Sequence, residues 1–367
     1  MGVIGWRMAM DRALYRPGGF FAAGGTGPAG HFRTSVHASP LFAGALLRLI
    51  EQVDAALGHP DRFDVVDVGA GRGELLSTLL ALLPGPPDPT RTGPPDPGRT
   101  HTPDSGRQVR PLRSRARLSA VEIAPRPVEL DGHIGWRRNV PASITGMLIA
   151  TEWLDNVPLD LAEVDENGRA RLVLVNPATG DETLGGVVDA ADAFWLARWW
   201  PLDHLGGPTD GRDARPGARA EIGWPRDVAW ADAVAGVRRG AALAVDYGHL
   251  RTGRPGFGTL TGFRGGRQVT PVPDGSCDVT AHVAMDAAAR AVGSAYTLIT
   301  QREALKALGV DGARPPLELA RTDPAGYLRA LSAAGAGAEL IDPAGLGGHW
   351  WLLHTVGIDG VGSFRCD

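Results

Sequence analysis

Val65-Val-Asp-Val-Gly-Ala-Gly-Arg-Gly-Glu-Leu-Leu-Ser-Thr-Leu-Leu80 passes from a β-branched run through a cluster of glycines into an apolar-periodic segment. The pattern is that of a strand, a tight turn and a helix. Gly69, Gly71 and Gly73 carry no side chain, so the backbone there can take positive φ and a ligand can approach to contact distance. The spacing narrows the choice of ligand. A dinucleotide fingerprint needs glycine or alanine three positions after Gly71, where this chain has Glu74, and a phosphate-cradling P-loop needs Gly-Lys-Ser/Thr at the helix start, which is missing. Asp67, at the end of the strand, would repel a pyrophosphate but suits a ligand carrying an ammonium and a sulfonium. S-adenosylmethionine is such a ligand, and a corner that binds nothing is the alternative reading.

At 367 residues, 43% of them hydrophobic, the chain can bury a full core as one large domain or two intimately joined ones. No apolar run approaches the ~18 residues that would span a bilayer, so a soluble protein without membrane insertion is expected. Arg7, Asp11, Arg12 and Arg16 interrupt the amino-terminal residues, which therefore lack the basic-then-apolar layout of a signal peptide. Cys277 and Cys366 are too few for a disulfide framework or a cysteine zinc site. These features point to a reducing, cytoplasmic location. A net charge of -4 argues against a general nucleic-acid binder, which needs a basic surface.

Residues 84–116 are rich in proline, glycine and arginine and are expected to form a disordered surface loop. Arg107, Arg110, Arg113, Arg115 and Arg117 close it, as a solvated tail or an anionic docking patch. Residues 117–123, 146–151 and 240–246 read as further short apolar strands separated by helical segments. The implied fold is α/β, a mostly parallel sheet with helices on both faces. Residues 160–175 read as a hairpin about an Asn167-Gly168 turn. Trp195, Trp199, Trp200, Trp224 and Trp230 mark 176–239 as an aromatic-rich insertion that either packs on itself or covers a site. Before the glycine turn, Pro40 to Ile50 reads as a helix. The expected division is an amino-terminal helical and loop segment (1–62) contributing to the cofactor site, a core (63–160), an inserted substrate or partner lobe (161–239) and the remainder of the core (240–367).

In an open α/β sheet, ligands sit beyond the carboxyl ends of the strands. Asp67, Glu122, Glu152 and Asp246 each end a strand or follow one closely. Glu122 can accept both ribose hydroxyl bonds, or it can cap the next helix. Its separation from Gly73 exceeds the usual roughly 20 residues, and discounting the 84–116 loop restores that spacing. Glu152-Trp-Leu-Asp155-Asn156-Val-Pro158 places two carboxylates and an amide where a methyl acceptor would lie. A guanidinium, with a pKa above ~12, must be oriented by carboxylates that offset repulsion from a sulfonium, and Glu152 and Asp155 have the charge for it. Asp155 can instead cap a helix. Asp246-Tyr-Gly-His249 ends another strand, with His249 a candidate base, orienting group or turn residue. Asp278-Val-Thr280-Ala-His282 is a further polar cluster. Zinc-ligand spacings and a Gly-x-Ser-x-Gly elbow are missing.

Together these segments resemble the MidA-like methyltransferase family, which includes the mitochondrial complex I assembly protein arginine methyltransferase. The resemblance runs through Ala13 to Phe21, Gly30 to Ser35, Ser39 to Phe42, Val68 to Gly73, Glu152 to Pro158, Glu221, Gly240 to His249, Asp278 to Val283 and Thr300 to Gly309. It implies a Rossmann-like class I methyltransferase sheet with an inserted substrate lobe, S-adenosylmethionine as cofactor, and methylation of an arginine in a protein substrate, in the mitochondrial members a respiratory complex I subunit. It carries the cofactor site onto Asp67, Gly69, Gly71 and Glu122, with Thr34 and Ser35 beside it, and the acidic substrate loop onto Glu152 and Asp155. Where the family reads Gly-Asp-Phe and then Thr-Ser-Pro-Glu, this chain has His31, Val36 and His37. A cofactor-binding assembly scaffold and a small-molecule methyltransferase remain as alternatives, and a homodimer is a candidate state.

Overall fold

The computed structural model describes residues 2–22, 34–83, 109–202 and 215–362. Seven strands form its central sheet: β1 (Phe63–Val68), β2 (Ala116–Val121), β3 (Ile134–Arg137), β4 (Ile144–Thr151), β5 (Val237–Asp246), β6 (Tyr296–Thr300) and β7 (Trp350–Val356). Their order across the sheet is β3-β2-β1-β4-β5-β7-β6. The pairs from β3 through β5 are parallel, whereas β7 is antiparallel to both β5 and β6.

Five helices position the site: α1 (Trp6–Tyr15), α2 (Pro40–Ala56), α3 (Glu74–Leu82), α4 (Trp224–Ala235) and α5 (Met285–Ala291). Every residue of β1 is buried, as a parallel strand covered on both faces requires. Phe63 and Val65 pack toward α2 and α3, while Val66 and Val68 pack toward α4 and α5. Ser39 caps α2 by accepting from the Leu41 N–H, and Pro40 occupies the first turn, where its missing N–H costs nothing. Phe42, Leu46, Leu49, Ile50 and Val53 then form one apolar stripe at helical spacing. The α/β reading and the helix beginning at Pro40 are both present.

The segment 84–116 divides. Residues 84–108, including Arg107, lie outside the described residues, as does His31. Residues 109–116 differ from the expected loop: Leu112–Arg115 is a helical turn and Ala116 opens β2. Arg115 is buried, with Nη2 2.7 Å from Asp54 Oδ2, and it also donates to the carbonyls of Arg110 and Pro60. A planar guanidinium with several donors satisfied at once is a structural tie rather than part of a solvated tail. Arg113 donates to the Leu80 and Leu83 carbonyls at the end of α3, where a cation also complements the helix dipole.

A second, antiparallel sheet contains Asp160–Val164, Ala170–Val175, Glu182–Val187 and Arg219–Ile222. Its first two strands form a hairpin whose turn has Gly168 at φ 74°. Ile4 and Gly5 add to this sheet by pairing with Val175 and Leu174. Trp6, Met10 and Leu14 of α1 pack against Leu161, Val173 and Val175, so the first helix rests on this lobe. The tryptophans separate between the two layers. Trp195 and Trp200 are buried within the lobe, whereas Trp230 lies on α4 against the central sheet. The helix that carries Trp230 leads into β5 and covers one face of the sheet. Among the described residues, no helix is long and apolar enough to cross a membrane.

Candidate active site

β1 pairs with β2 on one side and with β4 on the other, so the strand order reverses at β1. Ligands of such sheets bind at this switch point, beyond the carboxyl ends. A cavity of about 870 Å³ lies there, walled by the glycine turn, Glu122, Glu152, Trp153 and Asn156, with Tyr15 of α1 and Phe21 beyond it. That is within the size range of small-molecule sites.

The turn needs its glycines. Gly69, Gly71 and Gly73 adopt φ 71°, 57° and 84°, and a Cβ on Gly69 would stand 2.9 Å from Cδ1 of Trp153. The Gly69 N–H donates to the Val121 carbonyl at 3.0 Å, and the Gly71 N–H donates to Glu122 Oε2 at 3.1 Å. Glu122 Oε1 accepts from the N–H groups of Ile123 (2.7 Å) and Ala124 (3.1 Å). A carboxylate has about four lone-pair positions. Three backbone donors therefore leave Glu122 room for one hydroxyl, where the sequence suggested two.

Asp67 is 2% exposed, and its Oδ1 has no hydrogen-bond partner among the described residues. Burial, followed by the nearby charges of Glu74 and Glu122, holds its pKa well above the usual carboxylate range. With Thr34, Gly69, Gly71 and Glu152 it lines a smaller recess that adjoins the cavity at the turn. Thr34 caps the short helix Ser35–Ala38, accepting from the His37 N–H. Ser35 donates its N–H to Glu152 Oε1 at 3.2 Å, and its hydroxyl meets Gln301 at 3.2 Å. His37 stands 3.4 Å from Glu74, at the amino terminus of α3.

Glu152 follows β4 with φ 50°, a left-handed backbone that costs a non-glycine residue on the order of 1–3 kcal/mol. Its carboxylate borders both the main cavity and the smaller recess. Burial pushes its pKa up to about 8, with Asp155 and then Asp278 adding repulsion. Asp155 lies behind that wall. It is fully buried, accepts from the Tyr247 hydroxyl and from Thr280 Oγ1 (2.8 Å), and is not among the residues lining the cavity. Asp246 Oδ2 accepts from the N–H groups of Leu154 (2.9 Å) and Asp155 (3.3 Å), and Asn156 donates to Asp278 Oδ1 at 2.8 Å. The Asp246 and Asp278 segments thus converge on the turn that follows Glu152.

His249 does not line the cavity either. Its Nδ1 is 2.7 Å from an Arg254 guanidinium nitrogen, and its ring stands edge-on to Trp200 at 4.6 Å. Burial, then Arg254 and His282, pull its pKa down to about 3, so the imidazole is neutral at physiological pH. The structure therefore gathers Asp67, Gly69, Gly71, Glu122 and Glu152 around the turn, sets Thr34 and Ser35 beside them, and keeps Asp155 and His249 behind the wall. Arg226 had no sequence signal. It is the one arginine of α4, yet it is buried and donates to the carbonyls of Asp155, Val157, Ala281 and His282. Among the described residues, no group of three or more His, Cys, Asp or Glu side chains could hold a metal ion.

A parallel sheet with one antiparallel strand and an acid-flanked glycine turn at its switch point define a nucleoside-binding fold of the methyltransferase class. Residues 107–303 match the family described as "Putative S-adenosyl-L-methionine-dependent methyltransferase", and the chain belongs to that family. Two solved structures from Burkholderia thailandensis share the fold. One, a superfamily member bound to S-adenosyl-homocysteine, is 24% identical with a TM-score of 0.72. The other, a native crystal structure of a protein of the same superfamily, is 25% identical with a TM-score of 0.70. Each alignment covers 98% of this chain and 89% of the other. No curated protein matches the chain. The cofactor of the family is S-adenosylmethionine. The cavity suits it, because Gly69 and Gly71 leave open backbone and Glu122 keeps one acceptor position free, while the unpartnered Asp67 oxygen offers a buried acceptor in the adjoining recess.

Proposed function

We propose that the chain methylates an arginine side chain of a protein substrate. The observation that carries this reading is Glu152, a half-buried acid on the cavity wall with its pKa pushed up to about 8 and, among the described residues, no cation paired with it. A desolvated acid in that state favours any ligand that brings a positive charge. A guanidinium supplies that charge and matches a carboxylate in planar, two-pronged geometry. When bound, S-adenosylmethionine supplies a methyl group on a sulfonium and leaves as S-adenosylhomocysteine once the methyl–sulfur bond breaks.

The chain's own residues would do the rest. Gly69 and Gly71 admit the nucleoside to the backbone, Asp67 faces its cationic end, and Glu122 offers one acceptor to a ribose hydroxyl. Glu152, which releases its own proton to solvent once the guanidinium's charge lies beside it, holds the guanidinium so that one nitrogen faces the methyl group, and its carboxylate takes the proton that this nitrogen loses as the new bond forms. A pKa near neutrality suits that exchange. Orientation of the two reactants can supply about 7–11 kcal/mol of the barrier reduction. Asp155 and Asp246 act through the 154–156 turn as positioning residues, and His249, neutral and enclosed, packs the lobe. The MidA-like resemblance adds a respiratory complex subunit as the class of acceptor.

The test uses the full chain with tritiated S-adenosylmethionine and a lysate from cells lacking the protein. Label on protein arginine is expected, with Glu152→Gln slowing transfer roughly 10²- to 10³-fold while calorimetric cofactor affinity changes little. Label only in low-mass products would replace the protein acceptor by a small molecule. Cofactor binding with no transfer to anything would leave a scaffold.

A further inference from the structure

A second space adjoins the reaction cavity. A groove of about 560 Å³ lies between α1 and α4, lined by Met8, Trp224 and Val228 among others, and it shares Val157 and Pro158 with the cavity wall. The same two helices flank both spaces. α1 gives Tyr15 to the cavity and Met8 to the groove, and α4 gives Ala229 and Asp232 to the cavity and Trp224 and Val228 to the groove. Met8 is 50% exposed and Val228 48%, an apolar pair open to solvent beside a reaction centre. The Arg7 guanidinium lies 4.6 Å from the Trp224 ring centroid and forms a charged lip.

Resting on the protein-substrate reading above, we propose that this groove seats the stretch of substrate polypeptide next to the methylated residue and accepts an apolar side chain from it. A ligand that extends beyond its reacting group can reach both spaces, because they meet at the shared Val157–Pro158 segment. The span sets an upper limit on the spacing. From Trp224 to Asp232, a helix rises ~12 Å. An extended chain covers that distance in about four residues. The substrate chemistry is therefore an arginine with a leucine-like side chain no more than about four residues away.

The experiment presents the full chain with tritiated S-adenosylmethionine and synthetic peptides, each holding one central arginine in a glycine-serine background. A single leucine is placed two, four or six residues from the arginine, or omitted. The two- or four-residue spacing is expected to be methylated roughly tenfold faster than the leucine-free peptide, the scale on which an apolar contact discriminates. Val228→Asp and Met8→Asp should each abolish that preference, with melting curves recorded in the cofactor's presence to establish that both variants fold. Methylation indifferent to leucine position, or a preference that survives both substitutions, overturns the groove alone. Unlabelled peptides beside arginine-labelled lysate proteins also overturn it. No arginine label in peptides or lysate removes the protein-arginine reading and the groove with it.

Discussion

Glu152 is where backbone strain and electrostatics meet. Its positive φ turns the side chain from the end of β4 into the cavity wall, and burial there favours the protonated acid. Its folded pKa, about 8, stands above the ordinary 4.5. Between those values the unfolded chain carries the charge and the folded chain carries the proton, so this group's contribution to stability is full below the lower value and is lost as pH rises through the upper one. His249, His349 and His354 have lowered pKa values and act in the opposite sense, losing stability as pH falls below the ordinary histidine range. Subtracting a variant isolates the glutamate. The melting temperature of Glu152→Gln minus that of the wild type should widen from pH 5 to pH 8 and level off above it. A difference that stays flat across that range would mean Glu152 is already ionised in the folded protein. The sequence shows this residue as an acid beyond a strand, but not its burial, which depends on Ser35, 117 residues earlier.

The turn 154–158 depends on an element far from it in sequence. Arg226, on α4, donates to four carbonyls, two in this turn and two in the 281–282 segment. It joins the helix, the turn and the strand end that carries Thr280. Each buried acceptor left unpaired costs about 1–3 kcal/mol. Arg226→Met should therefore lower stability by about 3 kcal/mol or more, read as a lower urea midpoint with an unchanged slope. A midpoint within experimental error of the wild type would show that water replaces the guanidinium without loss. Strands β1, β2, β4 and β5 are legible because each is an apolar run ending at an acid. β6 is less so, since Tyr296–Thr300 is half-buried throughout and carries no clear alternation. Residues 109–116 read as loop because Arg115 looks solvated until Asp54, 61 positions away, is brought against it.

Across the whole molecule, the cavity draws on separated parts of the chain: Tyr15 from α1, the glycine turn, the end of β2, the end of β4 and the inner face of α4. A ligand bound there ties the lobe-bound first helix to the central sheet. S-adenosylhomocysteine at one hundred times its dissociation constant should stabilise the folded state by about 2.7 kcal/mol. A thermal shift checks this, and hydrogen exchange should slow together at residues 69–73, 34–38 and the end of α1. Protection confined to the glycine turn would mean that the amino-terminal segment does not close on the ligand.

The sequence by itself determined the strand-turn-helix at 65–80, the α/β class and the acids at the strand ends, because glycine conformation and apolar periodicity are local properties of the chain. It also carried the likeness on which the cofactor rests. Only the tertiary structure decided which acids reach the cavity. Glu152 enters the wall while Asp155 and His249 stand behind it, and Glu122 spends three of its lone pairs on backbone donors. The placing of Glu152 and Asp155 follows from contacts between segments more than a hundred residues apart, Glu152 with Ser35 and Asp155 with Thr280, and Glu122 meets Gly71 across 51 residues, distances that no local pattern encodes.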